Sequence, residues 1–125
     1  MSDQPKPLTT LEFLAMKRAG RKIVSLTAYD ALMARMLDAS GVDLILVGDS
    51  VNQVVAGRRS TLSATLDQMI YHAQSVVRGV NRCLVVVDLP FGSYQSNSDI
   101  ALASAIKIMK ETGGHAEDVN DDEVV

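Results

Sequence analysis

Leu44-Ile45-Leu46-Val47-Gly48-Asp49-Ser50 is an apolar run that includes β-branched residues and stops on a carboxylate. A short continuous apolar run between turn residues reads as a strand buried on both faces of a parallel sheet, although periodicity alone also admits a helix. The acid then stands at the C-terminal end of that strand. One strand-helix unit later the pattern returns as Cys83-Leu84-Val85-Val86-Val87-Asp88-Leu89-Pro90. If the two strands are neighbours, about 4.8 Å apart, Asp49 and Asp88 lie side by side on the sheet edge where α/β folds bind their ligands.

Working outward, the segments on either side repeat the unit. Thr9 with Glu12 forms a capping box ahead of a helix carrying Leu11, Leu14 and Ala15. Residues 1–8 read as a loose arm. Ile23–Thr27 is a first short strand, Tyr29-Asp30 a turn whose aspartate caps the next helix, and Leu32, Met36 and Leu37 share one face of that helix before Gly41. After the central strand a longer connection runs through Gly57, Arg58, Arg59 and Ser60 to a second capping box, Thr65 with Gln68. Leu66, Met69, Ile70, Ala73, Val76 and Val77 then form the clearest amphipathic helix in the chain, with Gly79 as its stop. Leu84–Val87 is the third strand. The last helix places Leu102, Ala105, Ile106 and Met109 on a buried stripe and ends at Gly113-Gly114.

Three strand-helix units after an N-terminal helix predict an α/β architecture with right-handed crossovers. A fourth strand is due next. Five acids (Glu117, Asp118, Asp121, Asp122 and Glu123) crowd the last nine positions, which predicts a solvated, disordered tail over 117–125 and a folded domain over 1–116.

Composition narrows the function. The chain has 125 residues, is 47% hydrophobic, and has a one-domain length with enough apolar residues for a core. Its net charge of −3 is uneven: without the five terminal acids, 10 acidic side chains face 12 basic ones. Arg58-Arg59 is the lone basic pair in a predicted loop and aromatic residues are few, so nucleic acid is not an expected partner. No apolar stretch approaches a membrane span and the N-terminus lacks a signal-peptide layout, so a soluble cytoplasmic protein with no membrane partner is expected. The single Cys83 reads as a small buried hydrophobe.

The candidate chemistry lies with the two strand-end acids. Paired carboxylates suit a hard divalent cation such as Mg²⁺, which keeps its other positions for water or a chelating 2-oxo acid. Each could equally cap the turn that follows its strand. Ser50 reads as a turn residue, His72 as a partly buried, hydrogen-bonded helix residue, and His115 has no stronger claim to chemistry. The glycine pattern around Gly48 is not a dinucleotide fingerprint, so a nicotinamide cofactor is not expected.

Several linked motifs, Thr27-Ala28-Tyr29-Asp30, Val47-Gly48-Asp49-Ser50, Gly57…Ser60-Thr61-Leu62, Tyr71-His72 and Val87-Asp88-Leu89-Pro90-Phe91-Gly92-Ser93-Tyr94, stand in one register. In order and spacing they resemble ketopantoate (3-methyl-2-oxobutanoate) hydroxymethyltransferases, over roughly residues 9–116. The resemblance implies a (β/α)₈ TIM barrel of the phosphoenolpyruvate mutase and isocitrate lyase type, here only partial, and a homo-oligomer. It implies Mg²⁺ on Asp49 and Asp88, and 3-methyl-2-oxobutanoate on Asp49, Ser50 and Asp88. Methylenetetrahydrofolate would be the folate co-substrate, and the pathway pantothenate biosynthesis. The family's substrate-binding lysine, its metal-associated glutamate and its general base have no counterpart in these residues, so no catalytic residue is assigned. Such a shortened chain, from truncation, a frame change or splicing, is expected to show little turnover of its own. With its strand edges open it is also expected to self-associate, or to serve as a binding or assembly module for a full-length subunit.

Overall fold

The computed structural model describes residues 6–119. Its elements are α1 (Thr10–Arg18), β1 (Ser25–Thr27), α2 (Ala31–Ala39), β2 (Leu44–Val47), α3 (Val51–Val54), α4 (Leu66–Gly79), β3 (Leu84–Leu89), α5 (Ser98–Thr112) and β4 (Ala116–Val119). The four strands form one parallel sheet in the order β1-β2-β3-β4. Among the described residues no helix is long and apolar enough to cross a membrane.

Alternation along the strands divides the core in two. Ile45, Val47, Val85 and Val87 point to one face and are fully buried in a cluster with Ala34, Met69, Ala73, Val76 and Ile108 from α2, α4 and α5. Leu44, Leu84 and Val86 belong to the other face, where Phe13 and Met16 of α1 cover them. That second face is only partly covered, since Leu44, Leu46 and Val86 stay half-exposed. The strand read as buried on both sides is therefore sealed on one.

The capping signals are realised. Thr9 with Glu12 and Thr65 with Gln68 form complete capping boxes, and the Asp30 carboxylate accepts the Met33 N–H at 2.7 Å. Gly113 takes a left-handed φ of 70° at the end of α5, a conformation that glycine adopts without steric cost. Gly79 does more than stop α4. A Cβ there would come within 2.6 Å of the Ala31 carbonyl oxygen and 3.0 Å of the Ala34 Cβ, so its bare Cα lets α4 lie directly against α2.

Four expectations need correction. The chain does add a fourth strand: Ala116–Val119 pairs with Val86–Leu89, so residues 117–119 belong to the sheet and not to a tail. Backbone pairing with an open parallel edge does not depend on side-chain type, which is why an acidic composition hid it. The remainder of the expected tail, 120–125, lies outside the described residues, as do residues 1–5 of the expected arm. Leu8, from that arm, donates its N–H to the Arg82 carbonyl and packs against the α1 cluster.

The other three corrections concern helix faces. On α5, Ser104, Ile108 and Thr112 are buried, while Leu102, Ile106 and Met109 are exposed. Small polar residues can face inward because Ser104 donates to the Ser93 carbonyl and Thr112 to the Ile108 carbonyl. On α2 the buried residue is Ala34, set by the close contact at Gly79, and Leu32 and Met36 face outward. On α1, Phe13 and Met16 turn inward in place of Leu11 and Leu14. The α4 stripe is as expected, with Met69, Ile70, Ala73 and Val76 buried.

Candidate metal and substrate site at the strand ends

β2 and β3 are hydrogen-bonded neighbours, with Leu44 opposite Leu84 and Val47 opposite Val87. Asp88 lies within β3, and Asp49 follows two residues after the end of β2. Both are almost completely buried, at 4% and 5% exposure for Asp49 and Asp88. The Asp49 N–H donates to Asp88 Oδ2 at 3.0 Å, which brings the two acids into adjoining positions at the C-terminal edge of the sheet.

Gly48 shapes the floor between them. A Cβ at this position would lie 3.0 Å from Ser50 Oγ and 3.3 Å from Asp88 Oδ2, so both oxygens border the space that the missing side chain leaves. Ser50 has no capping role on α3; its hydroxyl is instead 2.7 Å from the Tyr29 hydroxyl. Ser50 lies in the turn after β2, as expected, and its hydroxyl adds a contact with Tyr29 that the turn reading did not include.

The donor set can be weighed against a cation. Among the described residues no group of three or more His, Cys, Asp or Glu side chains converges as a metal cage. Two hard carboxylates alone cannot satisfy Zn²⁺ or Ca²⁺ in a closed protein site, but Mg²⁺ is commonly held by one or two carboxylates with waters or substrate oxygens completing the octahedron. The pair at Asp49 and Asp88 fits that pattern.

His72 is half-buried and its Nδ1 lies 2.8 Å from the Tyr29 carbonyl oxygen, matching the expected hydrogen-bonded role. Cys83 is buried, donates to the Val42 carbonyl and has its thiol pushed up to about 12 by burial and by the nearby Asp38, as suits a packing residue. His115 binds β3 twice: its backbone N–H donates to the Val85 carbonyl at 3.1 Å, and its ring Nδ1 accepts the Val85 N–H at 3.0 Å.

Neither Tyr29, quoted only as a turn and motif residue, nor Asn52 is assigned to the site by the sequence, yet Tyr29 bonds to Ser50 and Asn52 orders the connection that follows. Tyr29 follows the C-terminal end of β1, the same kind of position that drew attention to Asp49, and that topological equivalence was the available signal. Asn52 is buried and donates to the Ser60 carbonyl at 2.8 Å and to Ser63 Oγ at 2.9 Å, folding the long connection back toward α3.

Known proteins resemble this chain in sequence and in fold. Residues 7–120 match the family described as Ketopantoate hydroxymethyltransferase. A 3-methyl-2-oxobutanoate hydroxymethyltransferase from Cytophaga hutchinsonii is 65% identical over 111 residues, which is 89% of this chain and 41% of the relative. The protein of the same name from Flavobacterium johnsoniae is 63% identical over the same proportions. The chain thus spans about two fifths of the length of these curated relatives. Among solved structures, 2,3-dimethylmalate lyase, a PEP mutase/isocitrate lyase superfamily member, superposes with a TM-score of 0.62 at 18% identity, covering 90% of this chain and 40% of the other. That likeness concerns the fold, and it identifies the four-stranded sheet as part of a TIM-barrel-like architecture.

Proposed function

As the chain belongs to the ketopantoate hydroxymethyltransferase family, we propose that its strand-end site binds Mg²⁺ through Asp49 and Asp88 and takes a 2-oxo acid, 3-methyl-2-oxobutanoate, beside Ser50. This is the substrate-binding part of hydroxymethyl transfer from methylenetetrahydrofolate in pantothenate biosynthesis. The observation that carries the reading is the bond from the Asp49 backbone N–H to Asp88 Oδ2 at 3.0 Å, which sets two buried acidic residues at adjoining positions on one sheet edge.

Mg²⁺ bound there supplies Lewis-acid polarisation of the keto oxygen, an effect worth several kcal/mol on an enolate-forming step. The chain's own residues do the rest of the binding. Asp49 and Asp88 would hold the ion from adjacent strand ends, and the bare Cα of Gly48 lets Ser50 Oγ and Asp88 Oδ2 approach positions that a side chain there would crowd. Burial of both acids keeps bulk water from competing for the carboxylates. The transfer also needs a base to remove the proton next to the carbonyl, a group typically worth about 10²- to 10⁴-fold. No described residue is assigned to that task, so these residues bind substrate without supplying the proton transfer.

Mn²⁺ relaxation, with Mn²⁺ standing in for Mg²⁺, tests the site. Wild type should show a bound-ion enhancement that rises on addition of 3-methyl-2-oxobutanoate, and the Asp49→Asn, Asp88→Asn double variant should lose both signals. Equal signals from the two proteins would remove the site.

A further inference from the structure

We infer that Tyr29, held in place by His72, is a positioning residue that turns the Ser50 hydroxyl into a hydrogen-bond donor for an oxyanion of the substrate; this deepens the proposed 2-oxo acid site and rests on it. The Tyr29 and Ser50 hydroxyl oxygens are 2.7 Å apart, and either could donate by geometry alone. Chemistry decides between them. A phenol, with a pKa near 10, is a far stronger acid than an aliphatic alcohol and so the better donor, and a serine hydroxyl has one proton and two lone pairs. With the Tyr29 proton on one Ser50 lone pair, the Ser50 proton is released to point elsewhere. Ser50 Oγ and Asp88 Oδ2 both approach Gly48, 3.0 and 3.3 Å from where its Cβ would stand, so the Ser50 hydroxyl lies near the paired acids. A carboxylate or keto oxygen entering beside a cation on Asp49 and Asp88 would receive that proton.

The aim of Tyr29 is fixed from behind. A carbonyl oxygen only accepts, so the contact of 2.8 Å between His72 Nδ1 and the Tyr29 carbonyl requires the proton on Nδ1. His72 belongs to α4, whose Met69, Ile70, Ala73 and Val76 are locked into the main core, so the loop after β1 is tied to the most firmly packed helix of the fold. Three elements therefore converge: α4 through His72, the β1–α2 loop through Tyr29, and the β2 end through Ser50.

The test measures binding of 3-methyl-2-oxobutanoate by calorimetry at saturating Mg²⁺, with Mn²⁺ relaxation reporting the ion separately. Tyr29→Phe keeps the ring and removes the hydroxyl. It should weaken the 2-oxo acid about 3- to 10-fold, the range expected for one hydrogen bond, while Mn²⁺ binding stays unchanged. In a Ser50→Ala background the same substitution should have no further effect, because Tyr29 acts through Ser50. His72→Ala should weaken the 2-oxo acid in the same sense and His72→Asn, which keeps an N–H donor, should restore it. Wild-type affinity in Tyr29→Phe, or losses that simply add in the double variant, would overturn the positioning role and leave the proposed function standing. No binding by wild type at all would overturn the proposed function and the relay with it.

Discussion

At the N-terminal ends of β2 and β3, Asp38 and Asp43 have their oxygens occupied by the fold: Asp38 accepts the N–H groups of Asn81, Arg82 and Cys83, and Asp43 accepts the Val24 N–H and pairs with Arg82 at 2.7 Å. At the C-terminal ends of the same two strands, Asp49 and Asp88 are set beside each other, with the Asp49 N–H on Asp88 Oδ2. One residue type thus does opposite work at the two ends of one sheet. The lower pair gathers backbone donors and a guanidinium, which is how a carboxylate stabilises a structure. The upper pair sets two buried acids at adjoining strand ends, an arrangement that suits binding a cation.

Substitution at each end should separate these roles. Asp38→Ala strips the acceptor from three N–H groups, of which those of Arg82 and Cys83 are partly buried and that of Asn81 is exposed, and should cost about 2 kcal/mol, given roughly 1 kcal/mol per partly buried donor left unsatisfied. Asp88→Asn retains an oxygen for the Asp49 N–H and should change stability by less than about 1 kcal/mol while Mn²⁺ binding disappears. Urea melts of the two variants measure the contrast. A larger loss of stability in Asp88→Asn than in Asp38→Ala would collapse the distinction between the ends.

Acid should expose the same difference through the lower pair. Burial alone would raise the pKa of Asp38, but the N–H groups of Asn81, Cys83 and Arg82 outweigh it and hold the carboxyl below its ordinary 3.8. Burial opposes ionisation of Asp43 likewise, and the Val24 N–H and the Arg82 guanidinium prevail. Folded-state values below the unfolded ones mean that this stabilisation is complete above the ordinary value and is lost as pH falls through the lowered folded values. The urea midpoint of wild type should therefore fall as pH drops below about 4, and less steeply in Asp38→Ala. Parallel pH profiles for the two proteins would show that Asp38 does not carry the effect.

The upper end was legible in the sequence because its signal is local: an apolar run, a stop, and an acid, repeated one unit apart at Asp49 and Asp88. Pairing of β2 with β3 and the capping boxes at Thr9 and Thr65 were readable for the same reason. The lower end was hidden. Asp38 reaches Cys83 across 45 positions of sequence, and no local pattern encodes that contact. The inward faces of α2 and α5 were misread because apolar size was counted, whereas close approach to a neighbour favours Ala34, Gly79, Ser104 and Thr112. Tyr29 and Ser50 read as turn residues because the bond that joins them exists only once β1 and β2 lie side by side.

His115 extends the comparison to the edge of β4 and carries the smallest expected effect. It precedes β4 at the N-terminal end of the strand, where the lower acids also act, and like them it binds backbone: Val85 donates its N–H to Nδ1 at 3.0 Å. Only a neutral ring can accept there, and burial holds the ring's pKa below its ordinary 6.5. Above that value both folded and unfolded states are neutral and the pairing is intact. As pH falls through 6.5 the unfolded or undocked state takes up a proton first, so the docking of β4 weakens toward acid. The residue as a whole is exposed, which keeps the effect small. Amide exchange at Val85, corrected for the intrinsic rate, should show protection decreasing from pH 7.5 to 5.5 in wild type. In His115→Gln, whose side-chain oxygen accepts at any pH, protection should stay level. If protection in wild type is as flat as in the variant, β4 is held by its ladder with β3 alone and His115 has no part in the latch.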